Sequence, residues 1–426
     1  MKMKSPLNSI QKIDIYIARL LVICIFLPER FQVFSAIGAC IYFVIRTLFT
    51  MQWPDTKLLF WAFLLGGGYL FYVGAVPLTD MPYRTFVLTL CERRAAYFLL
   101  PFVFAITAPS FRGVVKDQLL FFVYGCILMC LLGNGYFLYQ HFVVDGGLLP
   151  LSHVRYRTIF EPFTGIHPTY MSMYLAFAIC ITLLQPVPTI RHKIIRNTIA
   201  YLLLVFMLAL FAKSPIIALV LVALHFVWIQ RHVLRQFRGA FIVLAGIVGA
   251  AWVFIPFFRQ RAAEMLGMFQ SDSGKAVVEN SVHARKLIWQ TDITMLQHYW
   301  LTGVGPGRTL ELLNQRYFFN SLHRGFWVGY FDPHNQYLSD WLSFGIIGIV
   351  GLIAVLVLQF VRALRTHNKL YLYLLIIISI TFFTETLLAR QQGILFYSIF
   401  TSLLFFAKHT ESNTENKKVA SQFIHT

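Results

Sequence analysis

An all-α, polytopic membrane protein of about 12 transmembrane helices, with a large and mainly helical external loop, is the fold class this sequence predicts. Two observations predict it. Of 426 residues, 58% are hydrophobic and only 13% charged, too little charge to cover a water-facing surface. The apolar residues also fall in repeated runs of roughly 18 to 25, long enough to cross about 30 Å of hydrocarbon as helices.

Taken in order, the runs place spans near 14–28, 33–50, 58–78, 85–107, 118–142, 168–186, 197–212, 215–230, 239–257, 336–361, 370–388 and 392–408. Residues 1–257 then form an N-terminal bundle of nine spans, interrupted by a medium external loop at 142–167. Residues 258–335 form the large external loop, 336–408 carry the last three spans, and 409–426 read as a polar, disordered tail. Within the large loop, apolar residues at Leu287, Ile288, Ile293, Leu296 and Trp300 predict a helix, which stops at the turn Gly303-Val304-Gly305-Pro306-Gly307. A second helix is expected over 308–319.

Lys and Arg fall in alternate connections, which places those loops and both termini in the cytoplasm. That bias accounts for much of the formal charge of +18 and directs the chain to a lipid bilayer, with no nucleic-acid partner needed. The six cysteines all lie in spans, without metal-ligand spacing, so no metal site and no cofactor is expected. Inverted repeats, the mark of many secondary transporters, are not visible.

Cations on the external side run against the topological bias. They are Arg155 and Arg157 in the medium loop, Lys213 in the turn AKSP, and Arg285, Lys286, Arg308, Arg316 and Arg324 in the large loop. Such groups suit the phosphates of a polyanionic lipid head, although a water-soluble loop also carries charge as a matter of course. Arg285, at the start of the amphipathic loop helix, is the strongest candidate. His334 is the second, because an imidazole can take a proton from a sugar hydroxyl. Its neighbour Asn335 can orient a sugar, and Asp332 can fix the ring tautomer. Glu385 and Arg390 lie near an external span end, where Glu385 calls for an arginine partner. His167 opens a helix at Pro168, ordinarily a packing position, with substrate contact as the alternative. The run Cys91-Glu92-Arg93-Arg94 suggests local neutralisation within its own helix.

Three stretches in order, ARKLIWQTDITMLQHYWLTGVGPG, DPHNQYLSDWLSFGIIGIVGL and TETLLARQQGILFYSIF, resemble the O-antigen ligase and O-antigen polymerase superfamily of bacterial envelope glycan assembly. The shared pattern is an Arg with a following Trp, a G-x-G turn, a His-Asn pair opening a helix with a later G-x-x-G, and a Glu before the closing helix, over roughly 150–406. The resemblance implies a metal-independent, inverting glycosyltransferase of the inner membrane, with its large loop and active site facing the periplasm. Its donor would be a glycan on undecaprenyl diphosphate, and its acceptor lipid A-core for a ligase or another glycan for a polymerase. By matching motif, His334 takes the place of the general base and Arg285 that of the arginine binding the donor diphosphate. Where the family commonly has a Ser-Arg pair, this chain reads Ala212-Lys213-Ser214-Pro215, so Lys213 is the cation at that turn. Two other classes compete: a lipid-linked oligosaccharide flippase or transporter, which leaves the eighty-residue loop without a role, and a structural scaffold, which leaves Arg285 and His334 without one.

Overall fold

A computed structural model describes residues 9–50, 55–108, 115–147, 153–184, 193–229, 281–324 and 331–406. The expected span at 239–257, the start of the large loop at 258–280 and the tail at 409–426 lie outside them. The described residues form helices and no strand. In chain order these are α1 Ser9–Cys24, α2 Glu29–Thr50, α3 Thr56–Gly66, α4 Tyr69–Leu78, α5 Met81–Thr107, α6 Val115–Tyr139, α7 His153–Thr164, α8 Pro168–Leu184, α9 Lys193–Leu210 and α10 Lys213–Ile229. After them come α11 Ser281–Tyr299, α12 Thr309–Arg324, α13 Gln336–Arg365, α14 Lys369–Phe382 and α15 Gln391–Phe406.

Every expected span on described residues meets a helix, but their lengths are uneven. Among the described residues three helices, Glu29–Thr50, Val115–Val144 and Gln336–Arg365, are long and apolar enough to cross a membrane alone. The number rises to five if α3 with α4, bent by 64°, and α7 with α8, bent by 81°, each make one span. The apolar helices α9, α10, α14 and α15 are shorter; α14, with 14 residues, reaches only about 21 Å. Two expected boundaries are corrected. The medium loop contains α7, and α14 ends at Phe382 instead of running to 388, leaving Glu385 in a connection closed by a 3-10 turn, Leu387–Ala389.

Helices α8, α14 and α15 are the buried centre of the bundle, packed through Tyr174, Phe177, Phe396 and Phe400. Outward-facing side chains such as Phe34, Phe49, Ile194 and Trp228 are exposed, as a lipid-facing surface requires. Helices α11 and α12 form a cap with its own small core of Leu287, Ile288, Met295, Leu296, Leu313 and Tyr317, closed below by Leu342 of α13.

A backbone hook fastens cap to bundle. Helix α13 breaks at Gly345 (φ 64°, ψ −153°), a conformation confined almost entirely to glycine. The break frees the carbonyls of Leu342 and Ser343, which accept from the N–H groups of Val304 (2.8 Å) and Gly305 (3.1 Å), while Ile346 N–H donates to Leu301 O at 3.2 Å. Polar backbone at a helix break in apolar surroundings is thus satisfied by protein. Beyond the break, 346–365 is about 20 residues, about 30 Å of helix, enough to cross hydrocarbon.

Candidate active site

The hook holds α11 alongside the first third of α13, and this fixes where Arg285 and His334 meet. Asn335 is the N-cap of α13, its side chain accepting from Leu338 N–H at 3.1 Å, so the helix starts two residues after His334. His334 itself sits in the left-handed region (φ 44°), held there by its N–H donating to Asp332 Oδ1 at 2.9 Å. The Trp289 indole of α11 donates to Pro333 O at 3.2 Å, fastening the same loop to the cap.

Glu385 is the centre of the cluster, with only 3% of its surface exposed. Arg285 Nη2 donates to Glu385 Oε1 at 2.9 Å, and Thr169 Oγ1 reaches the same oxygen at 3.4 Å. His334 Nδ1 lies 3.4 Å from Glu385 Oε2 and 3.6 Å from Asp332 Oδ1. The carboxylate nearer the ring is therefore Glu385, while Asp332 holds the backbone and accepts from Thr386 Oγ1. Burial pushes the Glu385 carboxyl up, but the His334 hydrogen bond and the positive charge of Arg285 outweigh it and hold it down at about 2. Glu385 is therefore an anion at any ordinary pH. With Nδ1 turned to two carboxylates, the imidazole is oriented and its Nε2 faces away from them.

His167 lies beside this group. The His167 Nδ1 accepts from Thr169 N–H at 3.3 Å, and the backbone N–H of His167 donates to Gln392 Oε1 at 3.4 Å, Gln392 also donating to Gly165 O. Burial is the main cause that lowers its ring to about 4, with Arg390, Arg157 and His334 lowering it further and Glu385 opposing them, so His167 is neutral near pH 7.

Of the residues marked in the sequence, Arg285, Asp332, His334, Asn335 and Glu385 thus converge, with His167, Arg157 and Arg390 electrostatically coupled to them. Arg155 is engaged by Asp145 and by His141 Nδ1 at 3.2 Å. Lys213 starts α10 just after a tight turn with Phe211 at φ 50°. The suggestion of local neutralisation in Glu92-Arg93-Arg94 is overturned. Glu92 is exposed, whereas Arg94 is buried and donates from Nε to Leu388 O at 3.1 Å. Residues two apart on a helix do not share a face. Thr169, Thr386, Gln336 and Gln392 belong to the site region and were not singled out by sequence, although both glutamines interrupt the start of an apolar run, which is a usable signal.

An α-helical membrane protein with a buried Glu–Arg–His cluster where its cap meets its bundle is the class these features define. A family model described as O-antigen ligase matches residues 198–353, which supports a likeness to the O-antigen ligase and polymerase superfamily over that stretch. The matched residues include α10, the cap and the broken first half of α13, hence Arg285 and His334, whereas Glu385 and His167 lie beyond them. A search of curated proteins finds no match.

Proposed function

We propose that the protein is an O-antigen ligase-type glycosyltransferase of the bacterial inner membrane, with about 12 spans, cytoplasmic termini and a periplasmic active site. It moves a glycan from undecaprenyl diphosphate to lipid A-core or to another glycan acceptor. The observation that carries this reading is the His334 ring, oriented through Nδ1 by Glu385 and Asp332, with the Arg285 guanidinium on the same Glu385 carboxylate.

In this reading the acceptor hydroxyl gives its proton to His334 Nε2 as its oxygen bonds to the anomeric carbon. The bond from that carbon to the diphosphate oxygen breaks on the opposite face, its electron pair leaves with the diphosphate, and the configuration inverts. No acid is needed for such a leaving group when cations neutralise it, and no metal either. Arg285 supplies that charge, preorganised by Glu385 through one of its five N–H donors, with Lys213, Arg157 and Arg155 along the donor path. Asn335, Asp332, His167 and Arg390 support the two central groups.

The test is transfer by the purified protein in liposomes loaded with a polyprenyl-diphosphate-linked glycan and an acceptor glycolipid. Product with inverted anomeric configuration supports the reading; no product from either acceptor class contradicts it. In a deletion strain, complete polymer stranded on the carrier lipid marks a ligase, and single unpolymerised units on lipid A-core mark a polymerase.

A further inference from the structure

Both backbone polar groups of Leu388, three residues beyond Glu385, are held by side chains from other elements. Its N–H donates to Gln336 Oε1 at 2.9 Å, and its carbonyl accepts from Arg94 Nε at 3.1 Å. Gln336 is the first residue of α13, two after His334. One end of the Leu388 peptide is therefore fastened to the helix that His334 precedes, and the other to α5.

The orientation of the Gln336 amide is fixed in turn. A backbone N–H only donates, so the amide oxygen must face Leu388, and the NH2 is left to donate to Asp340 Oδ1 at 2.9 Å, one helical turn on. Tyr72 of α4 donates to the same Asp340 oxygen at 3.4 Å, and the Arg94 guanidinium stacks on the Tyr72 ring at 4.3 Å. The contacts close a ring: Arg94, Tyr72, Asp340, Gln336, Leu388 and back to Arg94. All five residues are buried. The five residues also line a cavity of about 20 Å³, room for one or two waters, and Arg94 Nη1 is buried with no protein partner among the described residues.

A stack of buried polar groups is costly unless each is satisfied, and its members act as a unit. We infer that Arg94, Gln336 and Asp340 are positioning residues that hold the Glu385 connection in register with His334. This rests on the reading of His334 and Glu385 as transferase site residues. None of the three touches substrate; each acts through the Leu388 peptide. A misplacement of about 1 Å at a catalytic group can cost on the order of 100-fold in rate.

Transfer kinetics of the full-length protein in liposomes test the inference with Arg94→Met, Gln336→Met, Glu385→Gln and the doubles with Glu385→Gln. Each ring variant is expected to lower kcat about 10- to 100-fold with KM changed less than about 2-fold, and Arg94→Lys, which keeps a donor, to recover much of the loss. Because the ring acts through Glu385, each double should fall no more than about 3-fold below Glu385→Gln alone. Multiplicative losses in the doubles, or wild-type kcat in Arg94→Met or Gln336→Met, would overturn the inference. If one ring variant does not fold, the other carries the cycle. Glu385→Gln at wild-type rate would instead strike at the proposed transferase site itself.

Discussion

Replacing Gly303 by alanine isolates what the hook contributes. A Cβ there would lie 2.5 Å from Gly345 N, 2.8 Å from Leu342 O and 2.8 Å from Phe344 N. All three are backbone atoms at a helix break, so no side chain can swing aside. The residue also has φ 71°, where a non-glycine costs about 1 kcal/mol. Relieving the overlap separates the two segments of the hook and loosens the three hydrogen bonds of Val304, Gly305 and Ile346, each about 1 kcal/mol net. The total expected for Gly303→Ala is on the order of 3–4 kcal/mol. Gly305, also at positive φ (84°) but with nothing within 4 Å of its added Cβ, is the control, with about 1 kcal/mol expected for Gly305→Ala. Thermal unfolding in detergent, alongside transfer in liposomes, should place Gly303→Ala well below Gly305→Ala in both Tm and rate. Equal Tm values for the two would refute the docking account of the hook.

Two further expectations concern pH. Asp292 of the cap is fully buried, with Tyr317 donating to Oδ1 at 3.3 Å and, among the described residues, no partner at Oδ2. Burial pushes its carboxyl up to about 8, so its contribution to stability is present at low pH and is lost as pH rises from about 4 to about 8. Asp292→Asn, which can keep the Tyr317 bond without the charge, should raise Tm at pH 8 and do little at pH 4; an equal effect at both would count against this. His167 has the opposite sign of dependence. With its folded value at about 4 against 6.5, the unfolded chain gains a proton first, and stability falls as pH drops from about 6.5 to 4, by about 3 kcal/mol at most. His167→Asn should flatten Tm over that window, and an unchanged slope would show that another group sets it.

The helices were legible because apolar runs are local, whereas the caps were not singled out: Asn335 and Asp55 each accept from the first turn of the helix that follows. The glycine turn at 303–307 was legible as a helix stop. Its docking onto Gly345 was not, since nothing local couples two glycines forty residues apart. Glu385 called for an arginine by the cost of burying a carboxylate, but the choice of Arg285 depends on how the hook sets α11. Arg94 was misjudged for the same reason: its partners are Tyr72 and Leu388, remote in sequence, whereas Glu92, two residues away, lies on another face of its helix. His334 and Arg285 stood out by residue type and motif, whereas their shared carboxylate is a property of the folded chain.

The most direct measurement of the central claim is single-turnover transfer by His334→Ala in liposomes, with donor binding recorded on the same preparation. Loss of transfer by 100-fold or more with donor affinity near wild type is the predicted result, because the imidazole handles the acceptor proton and Arg285 remains on Glu385 to meet the diphosphate. Near-normal transfer in that variant would remove His334 from the chemistry and contradict the account.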